Sequence, residues 1–262
     1  MSAPERKLID LGSVRIEYFA QGSGPLLVLL PSLGRGAEDF DAIRPALAPA
    51  CRVVTPQPRG IGGSEGAMEG VTLHDYARDV AAVIENEAAG PALVGGHAFG
   101  NFVARTLATD RPDLVRGVAL LAATHVWPVP PAVRESIMKS SDLTLPDEER
   151  LRHLRHAFFA PASDARVWLG GWHPAVKKAQ RVATDATPQA EWWQAGTAPI
   201  LDVQPESDVM IPPESQSRYR DELGERVSIV RIPDAGHALL PEQPQALARA
   251  LLDFVGRVFG RT

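Results

Sequence analysis

The chain has 262 residues, of which 45% are hydrophobic, and this is enough apolar material for one large core. We therefore predict a single domain over residues 1–262. The formal net charge of −5 gives no basic surface for nucleic acid or an anionic membrane, and we expect neither as a partner. The first residues lack an apolar signal core and no run of 18 apolar residues occurs, so we expect a cytoplasmic location. The sequence carries no signal for the oligomeric state.

The first half of the chain alternates strand patterns with helix patterns. Two short apolar runs on either side of Gly12 predict a hairpin, and the unbroken apolar run at 26–30 predicts a strand buried on both faces. A loop at 31–36, a helix at 40–47 and a strand at 52–55 follow, then a turn-rich stretch at 56–64 and a helix that begins after Thr72. Further strands are predicted at 92–94 and 115–123. This alternation is typical of a parallel, doubly wound α/β sheet.

The pattern changes between residues 125 and 196, where helical segments continue without strand runs. This segment contains all five tryptophans of the chain: Trp127, Trp168, Trp172, Trp192 and Trp193. We interpret it as a helical lid inserted in the domain after the sixth strand, with the tryptophans lining the roof of a substrate pocket. The alternative is that these rings pack the core of a small subdomain. Strand patterns return at 199–204 and 227–232, and a final helix covers 246–258.

The most informative stretch is residues 93–101, which leads from an apolar run into a helix-forming run. Gly96 and Gly100 stand two positions before and two after Ala98. This is the G-x-S-x-G pattern of a nucleophile elbow with alanine at the serine position. The sharp strand-to-helix turn brings positions 96 and 100 together, so a Cβ atom at either would clash. The sequence thus predicts a strained turn with a methyl group where an attacking oxygen belongs.

Together with this elbow, several other stretches resemble the α/β-hydrolase fold family in the same order along the chain. They are the loop at 31–36, the turn at 59–64, the aromatic segment after the sixth strand and two motifs near the C-terminus, at 204–213 and 232–242. The resemblance covers nearly the whole length. It implies the α/β-hydrolase fold, which is a mostly parallel eight-stranded sheet flanked by helices, with a helical lid inserted after the sixth strand.

The two C-terminal motifs are where family members carry the acid and the base of the catalytic set. The resemblance assigns Asp208 as the acid that orients the histidine, with Asp202 and Glu206 as weaker candidates. A loop aspartate that only holds its own turn is the alternative. In the Ala-Gly-His run, His237 takes the place of the base, and the alternative is a structural histidine. The chain order of elbow, acid and histidine is the one expected of this fold.

The resemblance also implies an oxyanion site made of two backbone N–H groups, those of Phe99 and Leu33. Two departures from the family accompany it. Pro-Ser stands at 31–32 where many relatives have His-Gly, and Ser32 as a displaced nucleophile is disfavoured. Gln57 replaces the family's aspartate before Arg-Gly, and we expect Arg59 to be structural.

No cluster of cysteine, histidine and carboxylate residues has the spacing of a metal site, and the glycine-rich turns lack the lysine of a phosphate-binding loop. We therefore expect no metal and no cofactor. The aromatic segment indicates that the partner is a small, mainly apolar or aromatic carbonyl compound.

Ala98 leaves three explanations open. The chain is a laboratory serine-to-alanine variant of a serine hydrolase, made to trap a ligand. Alternatively, it naturally carries alanine, and His237 and Asp208 act directly on water or on the substrate. In the third explanation, the pocket binds a small molecule without turnover, as a pseudo-hydrolase.

Overall fold

The structure is a computed structural model that describes residues 3–123 and 129–260. The strands in these residues are β1 (Glu5–Asp10), β2 (Arg15–Gln21), β3 (Leu26–Leu30), β4 (Arg52–Pro56), β5 (Ala92–His97), β6 (Val115–Leu121), β7 (Ile200–Pro205) and β8 (Val227–Ile232). The α-helices are α1 (Arg44–Leu47), α2 (Leu73–Glu87), α3 (Phe99–Asp110), α4 (Pro131–Ser140), α5 (Asp147–Ala157), α6 (Pro174–Ala186), α7 (Arg218–Leu223), α8 (Leu239–Glu242) and α9 (Pro244–Phe259). Short 3-10 turns occur at Ala37–Phe40, Ala165–Trp168, Gln189–Glu191, Pro213–Ser215 and Gly224–Arg226.

The eight described strands form one sheet in the order β1-β2-β4-β3-β5-β6-β7-β8. β2 runs antiparallel to both β1 and β4, and all the other neighbours are parallel. The predicted mostly parallel sheet and the hairpin around Gly12 are confirmed. Because β3, β5, β7 and β8 are parallel, the loops that follow them all emerge at the same edge of the sheet. The four predicted pieces of the site are carried by these loops.

Helices cover both faces of the sheet and bury it. α2 and α3 pack on one face, and α1, α8 and α9 pack on the other, each with an apolar cluster of its own. All residues of β3 and β5 are buried, as the unbroken apolar runs predict. α2 begins with a capping box between Thr72 and Asp75, whose carboxylate accepts the Thr72 N–H at 2.8 Å.

One predicted element differs from the structure. Residues 40–47 do not form one helix, because the chain is divided into the 3-10 turn Ala37–Phe40 and the single turn α1. Pro45 lies in the first turn of α1, where its missing N–H costs nothing, whereas inside a continuous helix it would break a hydrogen bond.

The described residues between β6 and β7 contain α4, α5, α6 and 3-10 turns, and no strand. This segment packs its own apolar cluster around Phe158 and Trp168. Two hydrogen bonds join it to the loop after β3: the Gly34 N–H donates to Gln180 Oε1 at 2.7 Å, and the His173 N–H donates to the Gly34 carbonyl at 2.9 Å. The segment therefore lies over the edge of the sheet where the loops converge. In the described part of the chain, no helix has the length and apolar character needed to cross a bilayer.

Candidate active site

The turn between β5 and α3 has the strained geometry that the elbow pattern predicts. Ala98 has φ 46° and ψ −108°, a conformation that costs an alanine on the order of 1–3 kcal/mol. A Cβ atom on Gly96 would lie 2.2 Å from the backbone of Gly100, and one on Gly100 would lie 2.3 Å from the Leu30 carbonyl oxygen. Both glycines are therefore required by close approach of the backbone, and the turn is held against the end of β3.

Asp208 and His237 form a buried pair at the ends of the neighbouring strands β7 and β8. The Asp208 Oδ2 atom lies 2.8 Å from His237 Nδ1, and the second carboxylate oxygen accepts the Met210 N–H at 2.8 Å. Both side chains are buried. With both oxygens engaged, the carboxylate is fixed in orientation and it holds the imidazole with Nε2 directed away from the acid.

A second histidine, His97, packs against His237 and binds its backbone. His97 Nε2 lies 2.8 Å from the backbone carbonyl oxygen of His237, and the two rings are 5.3 Å apart. Burial, with the neighbouring His237 as a smaller cause, lowers the pKa of His97 to about 3, so this ring stays neutral and donates its proton. Phe158 packs 5.7 Å from the His237 ring, and its carbonyl accepts the Ala238 N–H. The sequence pattern identified neither supporting contact.

The two backbone N–H groups predicted for an oxyanion site, those of Phe99 and Leu33, are both unpaired in the described residues. Phe99 is the first residue of α3, where such a group has no partner inside the helix. The loop that carries Leu33 is fixed by the bond from Gly34 to Gln180, a residue 146 positions away.

A cavity of about 370 Å³ brings most of these groups together. Ala98, Phe99, Leu33 and His237 all line it, and Asp208 lies behind His237. Its apolar walls are formed by Phe102, Val129, Ile137, Phe158, Trp172 and Met210. Ser32 also lines the cavity, and its hydroxyl has no hydrogen-bond partner in the described part of the chain.

The tryptophans are divided between two places. Trp172 lines the cavity, and Trp168 packs behind it with ring centres 6.0 Å apart. Trp192 and Trp193 do not line the cavity, contrary to the expectation for the aromatic segment: they lie 4.8 and 4.5 Å from the guanidinium of the fully buried Arg105. A buried cation without a carboxylate partner draws aromatic faces to it. Trp127 lies outside the described residues.

Asp202, Arg59 and Gln57, which the sequence pattern also singled out, each contact other parts of the fold and do not line the cavity. The Asp202 carboxylate accepts a hydrogen bond from Gln204 at 2.6 Å, and burial raises the pKa of Asp202 to about 7. Arg59 forms a buried ion pair with Asp79 at 2.6 Å, as expected of a structural residue. Gln57 accepts the Ala37 N–H at 2.9 Å and so ties the loop after β4 to the one after β3.

Charged residues also reach the cavity from α6, and the sequence pattern did not single them out. Lys177, Arg181 and Asp185 belong to the lining, with Thr184 beside them. In the residues that the structure covers, no group of three histidine, cysteine, aspartate or glutamate side chains is placed to hold a metal ion.

Comparisons with known proteins agree with this architecture. The sequence model described as "Alpha/beta hydrolase family" matches residues 27–250. The 2-(acetamidomethylene)succinate hydrolase of Mesorhizobium japonicum is 24% identical over 267 residues and covers 94% of each chain. The pyrethroid hydrolase of Sphingobium wenxiniae is 29% identical over 250 residues, covering 87% of this chain and 86% of the relative. A crystal structure of E-2-(acetamidomethylene)succinate hydrolase superposes with a TM-score of 0.80 at 22% identity, covering 97% of this chain and 99% of the other.

Proposed function

The chain belongs to the alpha/beta hydrolase family, and from that premise we propose that it is an enzyme in which His237 and Asp208 act on a small carbonyl compound without a serine nucleophile. The observation that carries the proposal is the 2.8 Å pair of Asp208 and His237, which adjoins a cavity also lined by the methyl group of Ala98. The segment 125–196 serves as the lid of this site.

The proposed chemistry is general-base catalysis. The Asp208 carboxylate accepts a hydrogen bond from His237 Nδ1–H, so the proton stays on Nδ1 and Nε2 is the basic nitrogen, which takes a proton from a water molecule or from an acidic C–H of the substrate. In the hydrolytic case, that water attacks the carbonyl carbon, and the N–H groups of Phe99 and Leu33 stabilise the oxyanion. The protonated imidazole then donates its proton to the leaving group as the C–O or C–N bond breaks.

Ala98 rules out an acyl-enzyme at position 98, since a methyl group cannot attack. In serine hydrolases, loss of the nucleophile costs on the order of 10⁶ in kcat, while roughly 10³–10⁴ over water survives from the oxyanion site and binding. A reaction that needs only a base and an oxyanion site avoids this loss. Activated esters and carbon acids next to a carbonyl are substrates of that kind.

The backbone of the elbow supports a working site over an idle one. Ala98 retains its strained φ although it has no nucleophile to present. The same turn places Phe99 at the helix start with an unpaired N–H beside the cavity. We infer that the strain persists because it positions this donor.

The walls of the cavity support a proposal for the substrate class, because they are mainly apolar and include the rings of Phe158 and Trp172. We propose a small apolar or aromatic carbonyl compound. The two relatives described above are named for hydrolysis of small molecules, 2-(acetamidomethylene)succinate and pyrethroids, which agrees with this size class.

The test is a panel of 4-nitrophenyl and phenyl esters and of activated ketones, assayed with the unmodified chain and with His237→Ala. We expect turnover without a pre-steady-state burst, reduced at least about 10²-fold by His237→Ala because a general base contributes 10²–10⁴. Turnover that His237→Ala leaves unchanged contradicts the proposal. If no compound is turned over but a ligand raises the melting temperature, the alternative of a non-catalytic binding protein replaces it.

A further inference from the structure

One face of α6 brings two positive charges to the cavity. Lys177, Arg181, Thr184 and Asp185 all line it, and their spacings of four, three and one residues place them on a single helix face. Their side chains share the cavity with Ala98 and His237. Whatever binds beside His237 is therefore also exposed to these charges.

Lys177 is buried without a counter-ion. Only 8% of the residue is exposed, and its Nζ atom donates to the Ile137 carbonyl at 2.8 Å and to Ser141 Oγ at 2.5 Å. Both acceptors are uncharged, and one of the three ammonium protons has no acceptor in the described residues. Burial, and to a smaller extent Arg181, lowers the pKa of Lys177 to about 8. Among the residues that the structure describes, no carboxylate pairs with this ammonium, and the only favourable charge-related contact beside its hydrogen bonds is the Trp172 ring, 5.6 Å from Nζ.

Two other buried cations of the described residues have acidic partners, whereas the buried Arg105 is instead enclosed by aromatic rings. Arg35 pairs with Asp39 at 2.5 Å, and Arg59 pairs with Asp79 at 2.6 Å. Removing a charge from water is costly unless a partner lies close by, so a buried cation beside an open cavity is a place where an anionic ligand is stabilised.

Arg181 reinforces Lys177 at the cavity. In the part of the chain that the structure describes, its guanidinium has no ion pair or hydrogen bond. Asp185 lies one turn further along the same face, but in the described residues it forms no ion pair within 4.0 Å with either cation. The cluster therefore carries one net positive charge. Across residues 3–123 and 129–260, the Arg181 guanidinium is unpaired, and Lys177 keeps one ammonium proton without an acceptor.

We infer that Lys177 and Arg181 form an anion subsite that binds a carboxylate of the substrate, so that the substrate is a carboxylate-bearing carbonyl compound with an apolar body. The inference rests on the proposed function in one respect: it assigns the same cavity to the substrate. Arginine offers two parallel N–H donors that match a carboxylate, and lysine adds a point charge. The apolar walls then hold the remainder of the molecule.

The bonds from Lys177 to Ile137 and Ser141 also tie α6 to the end of α4, and this is a purely structural explanation of the lysine. This explanation accounts for the position of Lys177 Nζ, but it does not explain why a second cation, Arg181, lines the cavity on the same helix face. The test must therefore separate ligand charge from the stability of the fold. Arg181 is exposed, so its replacement leaves the core intact.

The experiment compares 4-phenylbutyrate with its uncharged counterpart 4-phenylbutanamide, by calorimetry and by tryptophan fluorescence. Trp172 reports directly, because its ring lies 5.6 Å from Lys177 Nζ. We expect the carboxylate to bind at least about 10-fold more tightly than the amide. Arg181→Gln and Lys177→Gln should each remove about 10-fold of carboxylate affinity and leave amide affinity within about twofold. The matched control is Lys178→Gln, an exposed lysine of α6 outside the cavity lining, which should change neither.

Equal binding of the two probes, binding of neither, or a carboxylate preference that survives both cavity substitutions overturns the inference. A further variant, His237→Ala, separates it from the proposed function. If His237→Ala keeps the carboxylate preference while no form of the protein shows turnover, the anion subsite stands and the proposed catalysis fails. If turnover depends on His237 but the carboxylate gives no advantage, the catalysis stands and the subsite fails.

Discussion

Introducing a hydroxyl at position 98 tests the geometry of the site more fully than any other single substitution. In Ala98→Ser, the new Oγ atom replaces a hydrogen of the Ala98 methyl group, on the wall of the cavity that His237 also lines, and the backbone turn is already strained at this residue. The strain of about 1–3 kcal/mol at this φ is present in both forms, so we expect the melting temperature to change little. The serine hydroxyl supplies the nucleophile, which is the group of an acyl-transfer site that Ala98 does not provide.

The expected gain can be bounded. Loss of the serine in serine hydrolases costs on the order of 10⁶ in kcat, and the surrounding groups here are already in place. We therefore expect Ala98→Ser to accelerate hydrolysis of 4-nitrophenyl acetate by at least about 10³-fold, equivalent to about 4 kcal/mol in the barrier. Stopped-flow absorbance should show a burst of about one equivalent of nitrophenolate, and intact-mass spectrometry should show an added acetyl group.

The control is the double variant Ala98→Ser with His237→Ala, in which the burst should disappear because no base activates the hydroxyl. If the single variant folds with an unchanged melting temperature and shows neither a burst nor a tenfold gain, the reasoning is refuted. That result would mean that His237, the elbow and the two N–H groups do not form the geometry of an acyl-transfer site.

Three further predictions follow from individual contacts. Ser32→Ala should lower turnover by less than about tenfold, measured as kcat/KM, because its unpartnered hydroxyl is not the nucleophile; abolished activity would assign it that role. Gly96→Ala should lower the free energy of unfolding, measured with urea, by more than about 3 kcal/mol, because the new Cβ would lie 2.2 Å from the Gly100 backbone. Gly170→Ala is the control and should change it little, because no heavy atom outside its immediate chain neighbours lies within 4 Å of the Cβ position there. His74 bridges Asp110 at 2.7 Å and Glu191 at 2.8 Å, and these partners raise its pKa above the ordinary value. The protonated His74 stabilises the folded state fully below pH 6.5, and this stabilisation is lost as the pH rises through the raised pKa. His74→Gln should therefore lower the free energy of unfolding by less than about 1 kcal/mol at pH 5.5 and by still less at pH 9. A larger loss at pH 9 than at pH 5.5 would contradict this assignment.

Local patterns in the sequence predicted the parts of the site that depend on short-range geometry. The elbow followed from the spacing of Gly96 and Gly100 around Ala98, because a tight turn excludes a Cβ atom at fixed offsets. The buried strands followed from unbroken apolar runs. The places of Asp208 and His237 came from family resemblance and chain order, and the structure brings them within 2.8 Å.

Contacts between distant segments could not be predicted in this way. His97 holds a carbonyl 140 positions away, and no local pattern specifies that partner. Trp192 and Trp193 lie in the same segment as Trp172, yet they pack on Arg105, because proximity in sequence does not determine which surface a ring faces. Likewise, Lys177 is an unremarkable lysine of an amphipathic helix until the fold shows which face of α6 lies over the cavity.

The central claim is that His237 acts directly, without a covalent intermediate. The most direct measurement is kcat/KM of the unmodified chain and of His237→Ala on the best substrate of the panel, with quenched samples of the unmodified chain analysed by intact mass. We predict a ratio of at least about 10² and no acyl adduct. Equal rate constants, or an acyl adduct on the unmodified chain, would contradict it.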